Sequence, residues 1–362
     1  MNTAVNSDFA TRLLTTPEQL RSIAPEWNDL WQKCSEAITF QRPEWLLPCI
    51  EAFQPQDPVA IEVRYQGRLA GFAPLLIYSR GPQRVLAFMG GGVSDYLDIL
   101  VDPQYTNQAI DSMLAVIQQI SGWDVLELTD LPEGSLLLRN PITEQTISEH
   151  DVCSVLNLPG SREELLHIFS KRQRANLRNA RSKLQKAGGT QIEIASSETL
   201  HSFLEDLFRL HTARWSRTGQ PGVLHDEAVK AFHIAAAPGL LDCGALKLYR
   251  LRLGQRTLAV IYALFDHETV LCYLQGFDPE SAYFSPGTVL MFVVIEDAVN
   301  QGIRKFDFLR GQESYKQHWR AQGQPTYRIA LPRSALERAI WAPGVRPQAL
   351  GLSHEGRSFS FS

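Results

Sequence analysis

Lys305–Trp319, KFDFLRGQESYKQHW, is the stretch on which the reading of this chain turns. Phe306, Phe308 and Leu309, with Asp307 and Arg310 among them, predict a short strand over Lys305–Leu309 with unlike faces. Gly311 breaks that strand. Gln312–Trp319 then predicts the start of a helix with Glu313, Tyr315 and Lys316 in its first turn. A strand that empties through a glycine into a helix gathers backbone N–H groups and ionisable side chains at one rim. Ligands of α/β proteins collect at such rims. A plain buried strand followed by a solvated helix face uses the same residue types. The order of the elements upstream favours the functional reading.

Just upstream, Ala245–Leu253, Arg256–Asp266 and Thr269–Phe277 predict an antiparallel meander, turning at Gly254-Gln255 and His267-Glu268. Ser285–Gln301 predicts an apolar helix between that meander and the decisive strand. Thr326–Leu331 is a last strand. Further back, Ser161–Gly188 predicts one long helix, Gln191–Ala195 a strand, Glu198–Ser216 a helix, and Asp226–Ala237 a helix closed by Pro238-Gly239. The first half repeats this order. Helices Thr16–Ala37 and Pro43–Phe53 precede a hairpin, Val59–Tyr65 with Leu69–Ser79, whose second arm Pro74 interrupts. Strands Arg84–Met89 and Asp95–Val101, helix Gln104–Ile120 and strand Trp123–Leu128 follow, and Asp151–Leu158 closes the half. Two α/β units of one architecture are expected, over residues 10–158 and 159–342, each a mixed, mostly antiparallel sheet flanked by helices. Residues 343–362 read as a poorly ordered tail.

Length and composition agree. A chain of 362 residues suits two domains rather than one core. With 44% hydrophobic and 20% charged residues it is globular, not disordered. A formal charge of −4 argues against a general nucleic-acid binder. Cys34, Cys49, Cys153, Cys243 and Cys272 form no CxxC pair and no zinc-like cluster, as expected of buried thiols in a reducing compartment. No HExxH and no Ser-His-Asp pattern is present. The N-terminus lacks the features of a signal peptide, and no apolar run reaches the ~20 residues of a membrane span. A soluble, cytoplasmic protein is the expectation.

The element order resembles the GNAT acyltransferase superfamily. Ser94–Pro103 (SDYLDILVDP), Cys153–Pro159 (CSVLNLP), Ser170–Leu184 (SKRQRANLRNARSKL), Gly276-Phe277-Asp278 and Lys305–Trp319 are more specifically similar to the CelD/BcsL branch, tied to cellulose and exopolysaccharide synthesis. That branch is in turn similar to the tandem-GNAT FemAB/FemX enzymes. The resemblance implies acyl-CoA, such as acetyl-CoA, as cosubstrate, no metal, and a sugar or carrier-linked sugar acceptor. It also implies polysaccharide-biosynthesis proteins as partners. In this fold a thioester lies along the strand Thr269–Phe277, so Tyr273, Leu274 and Gln275 would bind it, with Tyr273 and Gln275 on one face. Where the superfamily has a pyrophosphate-binding run, [QR]xxGx[GA], this chain has Ser285, Pro286, Gly287 and Thr288.

The remaining candidates come from residue chemistry. In Ser161–Gly188, Lys171, Arg174, Arg178 and Arg181 fall in one sector at ~100° per residue, with no acid after Glu164. Arg174 and Arg178 there suit a phosphate-bearing ligand, and equally a solvated face. A nucleic acid, tRNA included, fits the net charge less well. Direct transfer requires a proton acceptor, for which Asp307, Glu313 and His211 are candidates, and a donor to the leaving thiolate, for which Tyr315 is. Lys316 and Arg310 are placed to hold a substrate anion, and Trp215 borders the same region. In Gly90-Gly91-Gly92-Val93-Ser94-Asp95-Tyr96, Asp95 and Tyr96 are candidates for the acceptor, though a glycine bulge would look the same.

Overall fold

Thr16 accepts a hydrogen bond from the Gln19 amide at 3.3 Å and Pro17 takes the first helical position, so the chain turns helical at once. The computed structural model describes residues 8–55, 57–140, 145–216, 219, 222–311 and 313–338. Its elements begin with β1 (Phe9–Leu14), α1 (Pro17–Ser22), α2 (Ala24–Lys33), α3 (Pro43–Phe53), β2 (Asp57–Pro58), β3 (Ala60–Tyr65), β4 (Arg68–Ala73), β5 (Leu75–Arg80), β6 (Gln83–Phe88) and β7 (Leu100–Val101). Next come α4 (Thr106–Gln119), β8 (Val125–Pro132), α5 (Leu136–Arg139), β9 (Thr146–Asn157), α6 (Arg162–Ile168), α7 (Lys171–Lys186), β10 (Gln191–Ile194), α8 (Leu200–Ser216) and α9 (Glu227–Asp242). The chain ends with β11 (Leu246–Leu253), β12 (Arg256–Phe265), β13 (Thr269–Phe277), α10 (Pro286–Asn300), β14 (Lys305–Arg310), α11 (Ser314–His318), β15 (Gln322–Pro332) and α12 (Arg333–Arg338).

Packing divides the chain into two units. Of the described residues, one takes 8–34, 55–151 and 325–338, the other 35–54 and 152–324. The units are therefore discontinuous in sequence: α3 belongs to the second, and residues 325–338 to the first. The tail 343–362 lies outside the described residues.

In the first unit, β1, β3, β4 and β7 pair in that order, and β15, β8, β6, β5 and β2 form a second run in which only β6 and β8 are parallel. Helix α4 buries Ile110, Met113, Leu114 and Ile117 against this core, its apolar residues three and four apart. Pro74 separates β4 from β5, as its missing N–H predicts. The strand expected over Asp95–Val101 is shorter. Only Leu100–Val101 pairs, because Gly90 and Gly92, both at φ 86°, turn the chain away first.

In the second unit the order is β10-β11-β12-β13-β14-β9, antiparallel except between β13 and β14. Helices α6, α7 and α10 cover one face around Phe169, Leu177, Leu184, Phe292 and Ile295. Helix α8 packs on β12 and β13, and α9 on α3. The long helix expected over Ser161–Gly188 is two helices. Phe169 and Ser170 are extended, and Ser170 and Gln173 form a capping box that starts α7 afresh. Pro238, expected to close a helix, lies inside α9. It removes the donor for the carbonyl of Ile234, and Ile234 is exposed, so water can serve that carbonyl. No helix among the described residues is long and apolar enough to cross a membrane.

Candidate functional site

The site starts from a slip of one residue in β13. Tyr262 pairs with Leu274 but Ala263 with Cys272, so Tyr273 is the extra residue of a bulge. A bulge inverts the side-chain parity beyond it. Tyr273 accordingly packs among Phe40, Trp45, His233 and Tyr262, with ring centroids 5.1–5.8 Å away. Gln275 and Phe277 turn to the other side, which corrects the expectation that Tyr273 and Gln275 share a face. Leu274 is buried. The parallel ladder to β14 covers only Thr269–Lys305, Val270–Phe306 and Leu271–Asp307, after which the two strands part.

Beside the parted strands lies a cleft of about 1180 Å³. Its wall includes Arg174 and Lys183 of α7, Gln275 and Phe277 of β13, Ser285, Gly287 and Thr288 at the start of α10, and Tyr315. Lys186 and Arg214 add two more cations, and among the described residues no Asp or Glu lines it. Ser285 is the N-cap of α10 in a left-handed conformation (φ 51°, ψ 50°), and its hydroxyl does not cap the helix. The first-turn amides therefore keep their affinity for an anion. A Cβ on Gly287 would sit 3.6 Å from Phe277, an ordinary contact. Arg174 donates to the Leu166 carbonyl at 3.1 Å. Lys183 donates to the Tyr283 carbonyl at 3.1 Å, with its ammonium 3.9 Å from that ring's centroid. Arg178 is exposed and outside the cleft wall.

Helix α8 reaches β13 closely because residue 276 is glycine: a Cβ there would lie 2.6 Å from the His211 backbone nitrogen. Trp215 Nε1 donates to His211 Nε2 at 3.0 Å. An indole only donates, so this nitrogen accepts and the neutral ring carries its proton on Nδ1. Burial, helped by the charge of Arg214, pushes His211 down to about 4. As a neutral Nδ1–H donor, His211 has no free basic nitrogen, which corrects its place among the proton acceptors.

The decisive stretch forms as read, but its polar residues divide. Asp307 is buried, and its carboxylate accepts from the Leu309 amide at 2.7 Å, holding Leu309 at φ 60°. Lys316 is buried too. It donates to the carbonyls of Leu309 (3.0 Å), Gly311 (3.1 Å) and Arg310, and its ammonium lies 2.8 Å from the Glu313 carboxylate. Instead of holding substrate, Lys316 ties off the end of β14. Arg310 pairs in register with Cys153 and is not in the cleft wall. Gln312 lies outside the described residues. Tyr315 reaches the cleft, where Gln275 Nε2 donates to its hydroxyl oxygen at 2.6 Å, so its own O–H stays available to donate. Burial, with the charge of Glu313 near it, pushes that phenol up. Asp95, half-buried, and Tyr96, buried, belong to the first unit. Arg214 is not among the sequence's candidate residues. The spacing of three between His211 and Arg214, one helical turn, was the available signal.

Residues 171–317 match the family model described as an acetyltransferase (GNAT) domain. A comparison with curated proteins finds no match. Among solved structures the chain is similar to that of FemX, at 13% identity over 88% of this chain and 96% of that one, with a TM-score of 0.62. It is also similar to the C-terminal domain (DUF2156) of a putative lysylphosphatidylglycerol synthetase from Agrobacterium fabrum, at 9% identity over 88% and 95%, TM-score 0.54. L-PGS from Bacillus licheniformis is another, at 12% identity over 87% and 91%, TM-score 0.54. At such identities the likeness is one of fold. The fold is mixed α/β and GNAT-like.

Proposed function

We propose that this GNAT-like protein is an acyl-CoA-dependent N- or O-acyltransferase, with acetyl-CoA as the simplest donor. The acceptor is an amine or hydroxyl of a sugar, amino sugar or related envelope or exopolysaccharide precursor. The cleft carries this reading: among the described residues, four cations and no carboxylate line it, with an uncapped helix start and two strands parting beside it. Its residues fit a diphosphate-bearing carrier, with Gly287, Thr288, Lys183 and Lys186 facing the phosphates and Gln275 and Phe277 the arm.

A bound thioester supplies an activated carbonyl, whose C–S bond is exchanged for a C–N or C–O bond. Backbone amides of β13 beyond Leu271 polarise that carbonyl. Tyr315, kept protonated by burial and oriented by Gln275, donates its proton to the departing thiolate. Glu313, outside the cleft wall and ion-paired with Lys316, is the carboxylate we assign to take the acceptor's proton through a water.

Calorimetric titration with acetyl-CoA tests the reading. Saturable binding is expected, and Gly287→Trp, which fills the cleft beside Phe277, should abolish it. A second reading is aminoacyl transfer from a charged tRNA, favoured by Ser285–Thr288 in place of the superfamily's phosphate run and by the exposed Arg172 and Arg178. Absence of coenzyme A binding together with tRNA binding would establish it. Failure of both, with a stable polysaccharide-biosynthesis partner, would point to a scaffold.

A further inference from the structure

The four cations that line the cleft among the described residues differ in what already holds them. Arg174 and Lys183 each donate to a backbone carbonyl, and Lys186 is exposed. Arg214 is half-buried, and its guanidinium has no hydrogen bond or ion pair with any described residue. Instead it stands 5.4 Å from the ring centroid of Phe277 and 5.8 Å from those of Trp215 and Tyr315. Its charge is felt where the strands part. Burial pushes the Cys272 thiol up to about 12, and Lys316 and Arg214 oppose that push. Cys272 directly follows Leu271, the last β13 residue paired with β14.

A partly desolvated guanidinium with no counter-charge is costly, and its planar fork suits two carboxylate oxygens. The three rings around it attract its charge without neutralising it. Arg214 lines the cleft that takes the donor, so the anion it meets belongs to the molecule filling that cleft. An acetyl group offers it only a methyl.

We infer that the transferred acyl group carries its own distal carboxylate, gripped by Arg214, so that the preferred donor is a dicarboxylic acyl thioester of the succinyl class. This rests on the acyl-CoA reading and adds a specificity-determining residue to it.

Calorimetry on the full chain with acetyl-CoA, succinyl-CoA, CoA and pantetheine tests it, using wild type, Arg214→Gln and Arg214→Lys. Succinyl-CoA should bind about 10- to 100-fold more tightly than acetyl-CoA to the wild type. That ratio should fall to about one in Arg214→Gln and survive in part in Arg214→Lys. Equal affinities of the two thioesters for the wild type overturn the inference and leave the acyl-CoA reading standing. If Arg214→Gln weakens CoA and acetyl-CoA as much as succinyl-CoA but spares pantetheine, the guanidinium serves the diphosphate, and the inference again fails. No binding of any coenzyme A sinks the underlying reading itself.

Discussion

Tyr315 and Glu313 stand two residues apart and are assigned opposite proton traffic, which makes them separable by mutation. Tyr315→Phe removes the donor while keeping the ring, so turnover should fall by about 10- to 100-fold with coenzyme A affinity unchanged. Glu313→Gln should lower turnover, with some loss of melting temperature because buried Lys316 loses its counter-charge; unchanged turnover removes it as the proton acceptor. Stability should report on two buried histidines and the half-buried Asp266. His211 and His233, pushed down to about 4 and 3 by burial, stabilise the fold fully above 6.5 and lose that contribution as the pH falls. Asp266, pushed up to about 7 by burial, contributes below 3.8 and loses its contribution as the pH rises. Between about 4 and 6.5 the unfolded chain binds two more protons at the histidines and one fewer at the aspartate, a net of one (2 − 1). From these groups unfolding free energy should rise with pH across this range, and about twice as steeply in Asp266→Asn. Urea unfolding across that range measures both slopes. At this scale the sequence named Tyr315, Gln275, Gly287 and Arg174. It could not tell that Lys316 is enclosed by carbonyls or that Trp215 occupies the basic nitrogen of His211.

Among elements, β13 and α7 show where periodicity stops being informative. The sequence placed β13 over Thr269–Phe277, as observed, but a one-residue bulge at Tyr273 reversed which side chains face the cleft. Nothing in CYLQGF marks that bulge, because it arises from pairing with β12. The break at Phe169-Ser170 was legible: Ser170 followed by Gln173 is a capping signature inside a run taken as continuous. Ser170→Ala should cost about 1 kcal/mol in urea unfolding, with local loss of amide protection at the start of α7. Gly276→Ala should cost about 1–3 kcal/mol, since the added carbon meets α8 backbone rather than a yielding side chain.

For the molecule as a whole, the units interchange segments that the sequence order keeps apart. Residues 35–54 pack within the second unit, where Trp45 meets Phe232 and Tyr273, and Thr39 donates to Asp266. A fragment spanning 159–342 lacks that layer and the β9 strand that pairs with β14. It should therefore fail to unfold cooperatively, whereas the full chain should; far-ultraviolet dichroism in urea checks this. The residues by themselves determined the elements and the GNAT-like order, because hydrophobic period, caps and glycine breaks act over a few neighbours. The tertiary structure alone decided the discontinuous units, the parity of β13, and the difference between an engaged Lys316 and an Arg214 that pairs with no described residue. Each of these depends on partners distant in sequence, which no local pattern encodes.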